Sequence, residues 1–202
     1  MKFNESEFRK IIGFIPNPNH EKVLDCRARE IVVVAGRGFG KSFIAAYIAF
    51  RTFLEDGKKI VVIAPSYGLA DKIFDNLHNF RAKGFKNLKV QNKPFKKFSA
   101  PWGSYIAAKS AEAPQEILGE RYDLVVVDEA AQIARTIFHQ YIYPTTSKGG
   151  NMLYISTPFG KGSWFHDRWD RAKELGGAFN FRSIDGMPYL SAEKKREEWE
   201  RA

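Results

Sequence analysis

The chain reads as a three-layer α/β domain built on a mainly parallel central sheet, and three observations carry that reading. Residues 31–35, 60–64, 124–127 and 152–156 are continuous apolar runs rich in β-branched side chains, the pattern of strands covered on both faces. Stretches with helical spacing separate them, so strands and helices alternate along the chain. A glycine-rich loop, Gly36-Arg37-Gly38-Phe39-Gly40-Lys41-Ser42, joins the first run to the first long helix.

In chain order, residues 4–12 are expected as a short amphipathic helix with Phe8, Ile11 and Ile12 on one face. Phe14 to Pro18 is extended or turning, and Asn19 caps a helix from His20 to about Arg27 that buries Val23 and Leu24. Strand 31–35 leads into a helix over 42–55, ended by Gly57. Strand 60–64 closes at Pro65, and a helix from Tyr67 to Arg81 places Leu69, Ile73, Leu77 and Phe80 near helical spacing. Residues 85–109 alternate apolar with polar around Pro101-Trp102-Gly103, which reads as an antiparallel edge extension of the sheet. Strand 124–127 ends in Asp128-Glu129, a helix covers 133–143, and strand 152–156 ends in Thr157-Pro158. A loop at 159–162, a helix over 164–175 and a strand at 179–184 follow, then a charged helix at 192–201 capped by Ser191. No internal repeat or low-complexity tract interrupts this order. The expected division is a domain at 1–184 and a short C-terminal lid or linker segment at 185–202.

With 202 residues, 44% of them hydrophobic, the chain can fill one core. Lys and Arg outnumber Asp and Glu by 32 to 23, a net charge of +9 that favours a polyanionic partner. Cys26 is the single cysteine, which excludes a disulfide framework and suits a reducing compartment. No apolar run approaches the roughly 18 residues of a membrane span, so the expectation is a cytoplasmic protein without a membrane partner.

The glycine loop carries the first chemistry. Without Cβ atoms at Gly36, Gly38 and Gly40 the backbone can curl and aim several N–H groups at one phosphate chain. The helix that follows adds its positive end. Lys41 reaches the β- and γ-phosphates, and the Ser42 hydroxyl is a Mg²⁺ ligand. ATP and Mg²⁺ are therefore the expected ligands of Gly36, Arg37, Gly38, Phe39, Gly40, Lys41 and Ser42. The pattern G-x-x-x-x-G-K-[ST] asks for glycine at position 35, where this chain has alanine. Alanine tolerates positive φ poorly, so a different turn is expected there.

Residues 122–129, Tyr-Asp-Leu-Val-Val-Val-Asp-Glu, fit a Walker B strand. Asp128 at its exposed carboxyl end holds the metal's hydration shell, and Glu129 orients and polarises water beyond the γ-phosphate. A helix N-cap with a solvated neighbour is the other reading of this acidic pair. Ser156 and Thr157, at the end of another central strand, either sense the γ-phosphate and pass that state to the next loop or form an ordinary turn before Pro158. The segments around Lys41 and around Asp128-Glu129 are expected to meet at adjoining strand tips. Together these features define a P-loop NTPase of the RecA/ASCE-like kind.

Ala35 to Ser42, Val62-Ile63-Ala64-Pro65, Val125 to Ala131 and Tyr154 to Pro158 together resemble the ATPase domain of the large terminase subunit of tailed bacteriophages, over roughly residues 14–190. The resemblance implies an ATP-hydrolysing motor that drives double-stranded DNA into a procapsid. It implies a homo-oligomeric ring, usually pentameric, that docks on the portal protein, with a monomer in isolation and the small terminase subunit as a further partner. The setting is the cytoplasm of the infected host and, transiently, the procapsid. Arg37 then assists the phosphates and Thr157 lies in the coupling motif. His20 takes the place of an adenine-binding glutamine, or is a surface helix residue. Arg121, in Leu118-Gly119-Glu120-Arg121, is a displaced arginine finger for a neighbour's ATP, or a surface partner of Glu120 or Asp123. Family members carry a separate nuclease domain, so this stretch is expected to hydrolyse ATP without cleaving DNA.

Lys83, Lys86, Lys89, Lys93, Lys96 and Lys97 interleave with Phe85, Phe95 and Phe98 in the densest basic stretch. Lysines neutralise phosphate without reading sequence, as a packaging motor requires. They equally keep an edge hairpin from pairing with other chains. Lys161 is a second candidate for DNA contact. Two other functions compete. A nucleic-acid-dependent ATPase of helicase type needs a second RecA-like domain, and a nucleotide-gated DNA-binding module that does not hydrolyse has no use for Glu129.

Overall fold

The apolar runs become the inner strands of one sheet because none of them has a face suited to water. The computed structural model describes residues 4–186 apart from 159 and 161. Its strands are β1 (Glu30–Ala35), β2 (Lys59–Ala64), β3 (Lys89–Gln91), β4 (Lys97–Ser99), β5 (Tyr105–Ser110), β6 (Tyr122–Asp128), β7 (Thr146–Ser156) and β8 (Ala178–Phe181). They lie in the order β3-β4-β5-β2-β6-β7-β1-β8. Every pairing from β5 to β8 is parallel, and β3 and β4 add the antiparallel edge. The stretch from Tyr105, expected as antiparallel, opens β5, which is antiparallel to β4 but parallel to β2. Its Ile106, Ala107 and Ala108 are buried, as an inner strand requires.

Helices cover both faces. On one side, α1 (Glu5–Ile12), α2 (Pro18–Leu24), α3 (Lys41–Phe53) and α4 (Tyr67–Gly84) bury Val33, Ile60, Val62, Val126 and Ile155. On the other, the irregular segment 130–145, containing α5 (Arg135–Ile137), and α6 (Trp164–Glu174) bury Val32, Val61, Ile63, Val127 and Tyr154. Successive strand residues thus feed two cores, the period-2 consequence of a doubly covered sheet.

Four expected elements change on packing. Ile11 is 37% exposed, because Phe8 and Ile12 alone fill the core face of α1. Asn17, not Asn19, caps α2. Its Oδ1 accepts from Asn19 N and His20 N at 2.9 and 2.8 Å, and Pro18 takes the first helical position, where a missing N–H costs nothing. After a 3₁₀ turn (Ala130–Gln132), the helix expected over 133–143 is broken into α5, a π-helical turn (Phe138–Ile142) and a second 3₁₀ turn (Tyr143–Thr145). Phe138 stacks on Trp164 at 3.9 Å, and Trp164 Nε1 donates to Ile133 O at 2.6 Å, so contacts with α6 set this path. The strand expected over 179–184 ends at Phe181, and a 3₁₀ turn (Ser183–Gly186) follows. That turn crosses the expected boundary at 184, with Asp185 O accepting from Asn17 Nδ2 at 3.2 Å. The charged helix at 192–201 lies outside the described residues. No helix among the described residues is long and apolar enough to cross a membrane.

The sheet order positions the candidate site. β7 lies between β1 and β6, with Val34 opposite Ser156 and Asp128 opposite Ile155. The tips carrying Lys41 and Asp128, expected to adjoin, instead flank the Ser156 tip, because β7 is inserted between β1 and β6. Two strand spacings separate them, about 10 Å.

Candidate functional site

The loop after β1 is shaped from beneath. A Cβ on Gly36 would lie 2.2 Å from Ser183 Oγ and 2.6 Å from Ser183 N, so only glycine lets the loop rest on the Ser183–Gly186 turn. A Cβ on Gly186 would lie 2.4 Å from Phe39 Cα, so the contact is tight on both sides. Ala35 is simply the last residue of β1, opposite Phe181. Its alanine causes no detour, since among the described residues Glu129 is the one non-glycine at positive φ. Phe39 is fully buried, stacked on Phe181 at 4.5 Å and met edge-on by His20 at 5.1 Å. His20 Nε2 donates to Phe39 O at 3.0 Å. At 1% exposure His20 is not the surface residue of one reading. Burial holds its pKa below the usual value, so it supports the loop as a neutral ring.

Lys41 opens α3 and turns back over the loop, its Nζ donating to Ala35 O at 2.6 Å and Gly36 O at 3.0 Å. Burial lowers its pKa; Glu129 and Asp128 oppose that shift, while Lys72 and Arg37 add to it. No side chain caps α3, which leaves its first amides to an anion. Ser42 is half-buried in the same turn and Arg37 is exposed on the loop.

Asp128 is 2% exposed. It accepts from Glu129 N at 2.8 Å and, among the described residues, forms no ion pair. Burial pushes its carboxyl up to about 6; the Glu129 amide opposes this, the Glu129 charge adds to it, and Lys72 and Lys41 oppose it. A carboxylate so placed suits a cation. Glu129 stands at φ 45 and ψ 43, a left-handed conformation that costs on the order of 1 kcal/mol or more for a non-glycine residue. The turn is held by Gln132 N donating to Glu129 O at 2.9 Å. Glu129 makes no capping bond to the following 3₁₀ turn, so the N-cap reading fails. Ser156 is fully buried, and its Oγ accepts from Ala131 N at 3.4 Å, tying the β7 tip to the turn after Glu129. Thr157 follows, half-buried.

Other expected residues lie apart. Arg121 is exposed at the amino end of β6, the far end of the sheet from Lys41. Glu120 is taken by Tyr105 Oη and by Lys59 at 3.5 Å, and Asp123 accepts from Lys59 N at 2.9 Å, so neither acid pairs with it. Lys86, Lys89 and Lys93 are exposed, Lys96 pairs with Asp71 at 2.7 Å, and Lys97 lies over the Tyr105 ring at 3.9 Å. Lys83 donates to Ile12 O at 2.6 Å. Lys161 lies outside the described residues. Sequence reasoning missed Ser183 and Gly186, whose only signal is steric, and Lys72, whose charge reaches both Lys41 and Asp128.

Known proteins of one kind resemble this chain in sequence and fold. The family described as terminase large subunit, T4likevirus-type, N-terminal, matches residues 32–199. The large terminase subunit of Escherichia phage T5 is 31% identical over 160 residues, which is 78% of this chain and 34% of that protein. That of Thermus virus P23-45 is 30% identical over 184 residues, 80% of this chain and 37% of that protein. The chain thus spans about a third of the length of the curated relatives it matches. The solved ATPase domain of the Thermus phage P74-26 large terminase superposes with a TM-score of 0.74 at 25% identity, covering 96% of both chains.

Two outcomes follow from the geometry. Gly36→Ala loses ~1–3 kcal/mol in thermal denaturation, whereas Gly68→Ala, with nothing within 4 Å, is neutral or stabilising. The raised carboxyl of Asp128 means that the folded chain binds its proton more tightly than the unfolded chain. Its contribution is therefore full below about pH 4 and lost as pH rises through about 6. Without ligand, Asp128→Asn is more stable than the parent at pH 8, by on the order of 1 kcal/mol, and close to it at pH 4.

Proposed function

Since the chain belongs to the T4-like family of terminase large subunits, we propose that the stretch ending at the Ser183–Gly186 turn is an ATP-hydrolysing motor that moves double-stranded DNA into a procapsid. The observation that carries this reading is the set gathered at the strand tips: a buried Asp128 in no ion pair with a described residue, a strained Glu129, and a Lys41 held only by carbonyls.

The chemistry follows from those groups. The amides of residues 36–42, with Lys41 and Arg37, take up triphosphate charge, and Lys41 exchanges its two carbonyls for phosphate oxygens. Ser42 and Asp128 would hold Mg²⁺, which when bound neutralises phosphate charge and orients the triphosphate. Burial of Asp128 without an ion pair fits that ion. Glu129, turned out of the strand by its left-handed backbone, accepts a hydrogen bond from a water in line with the terminal P–O bond. Water adds to the γ-phosphorus as its bond to the β,γ-bridging oxygen breaks, so that ADP and phosphate form while the water's proton passes by way of Glu129 to the phosphate, and the strained turn responds to the change. The Ser156–Ala131 bond carries that movement to the β7 tip and on to Thr157.

Arg121 faces away from its own site and serves a neighbour's ATP in a ring of copies, a contribution of ~10³–10⁵ in rate for such fingers. The isolated chain is then a slow ATPase. His20 acts on the nucleotide through Phe39 and the loop it supports. Lys86, Lys89 and Lys93, with Lys96 and Lys97 beside them, meet duplex phosphates. The portal protein and the small terminase subunit are the remaining partners, in the cytoplasm of the infected host, and we assign no DNA cleavage to these residues. A gated module without hydrolysis would give no reason to strain Glu129.

Glu129→Gln keeps ATP binding and loses at least ~10²-fold in phosphate release; undiminished release would remove Glu129 from this role. Duplex binding weakens steeply with salt and ignores sequence. Replacing Lys86, Lys89 and Lys93 together by alanine lowers the slope of log K against log salt by about 3.

A further inference from the structure

We infer that Lys72 binds the terminal phosphate of the nucleotide in its own chain, an inference that rests on the nucleotide site proposed above. β2 lies beside β6, with Ile63 opposite Val127. The chain leaving β2 therefore emerges next to Asp128. α4 begins almost at once, at Tyr67, and Lys72 stands on its second turn. Ile73 and Phe74 beside it are fully buried and fix the helix to the sheet, while Lys72 itself is exposed. Among the described residues its ammonium forms no ion pair, and the adjacent acid, Asp71, is taken by Lys96 at 2.7 Å.

Lys72 near the β2 tip, Lys41 at the start of α3 and Arg37 on the loop after β1 thus gather at the carboxyl edge of one sheet. Such crowding gains nothing for an empty fold, since like charges close together repel. A polyanion between them turns the repulsion into attraction. The sheet order β2-β6-β7-β1 says which end of it Lys72 meets. The loop after β1 holds the near end, and the far end points toward β6 and β2, where Glu129 and Lys72 stand.

The test is binding of Mg-ATPγS and Mg-ADP to the 202-residue chain, followed by calorimetry, for the parent, Lys72→Ala, Lys72→Arg and Lys41→Ala. Lys72→Ala weakens ATPγS binding roughly tenfold and ADP binding less than about twofold, and Lys72→Arg stays within about threefold of the parent for both. The melting temperature without nucleotide does not fall, because the side chain is exposed and repelled. Equal affinities for parent and Lys72→Ala, or equal losses for the two nucleotides, overturn the role of Lys72. The site itself stands in that case if Lys41→Ala still abolishes binding. A parent chain that binds neither nucleotide overturns the site and, with it, this inference.

Discussion

Asp128 sits at the end of β6 with almost no access to water, and the rest of the site is arranged about that buried charge. Strand β6 must be apolar because helices bury both its faces, so its last residue inherits a dry position. A carboxyl group there is raised to about 6 and holds its negative charge only against the cost of desolvation. Lys72 and Lys41 oppose that rise, and neither forms an ion pair with it. The protein groups alone leave the electrostatics unbalanced, with Lys72 and Arg37 working against the charge of Lys41 and Asp128 in no ion pair with a described residue. In the function proposed above, a metal-bound triphosphate would complete both halves at once.

A second constraint is steric. The phosphate loop has no freedom to collapse, because Gly36 lies on Ser183, Phe39 is clamped between Phe181 and His20, and Gly186 touches Phe39 from below. Preorganisation of this kind keeps backbone amides aimed at a ligand before it arrives. Strain at Glu129 is the complementary feature: the one non-glycine residue at positive φ among those described is also the one to which the proposed mechanism gives the positioning of water.

Much of this was readable in the residues alone. Continuous β-branched runs can only be inner strands, so the sheet and its two covering layers followed from them. Gly36 to Ser42 and Asp128-Glu129 were readable because their chemistry is local: a curled backbone, a helix start, an acid at a strand end. What was not readable depends on residues far apart in the chain. The insertion of β7 between β1 and β6 is a matter of sheet order, to which no local pattern speaks. The burial of His20 depends on the helix being capped at Asn17, two residues earlier than expected, and on Phe39 arriving beneath it. The broken path over 130–145 follows a single tryptophan, Trp164, thirty-one positions from the carbonyl it binds. Lys72 carries no motif at all, since its meaning lies in where β2 ends relative to β6.

The floor of the phosphate loop comes from the Ser183–Gly186 turn, far along the chain from the loop it supports. That turn is thus mechanically in series with the candidate phosphate loop. A displacement of the turn arrives first at Phe39 and the amides above it, and if it alters affinity for a ligand there, by reciprocity the ligand alters the ease of that displacement by the same factor. Ligand occupancy and the position of that turn would then be two readings of one strap.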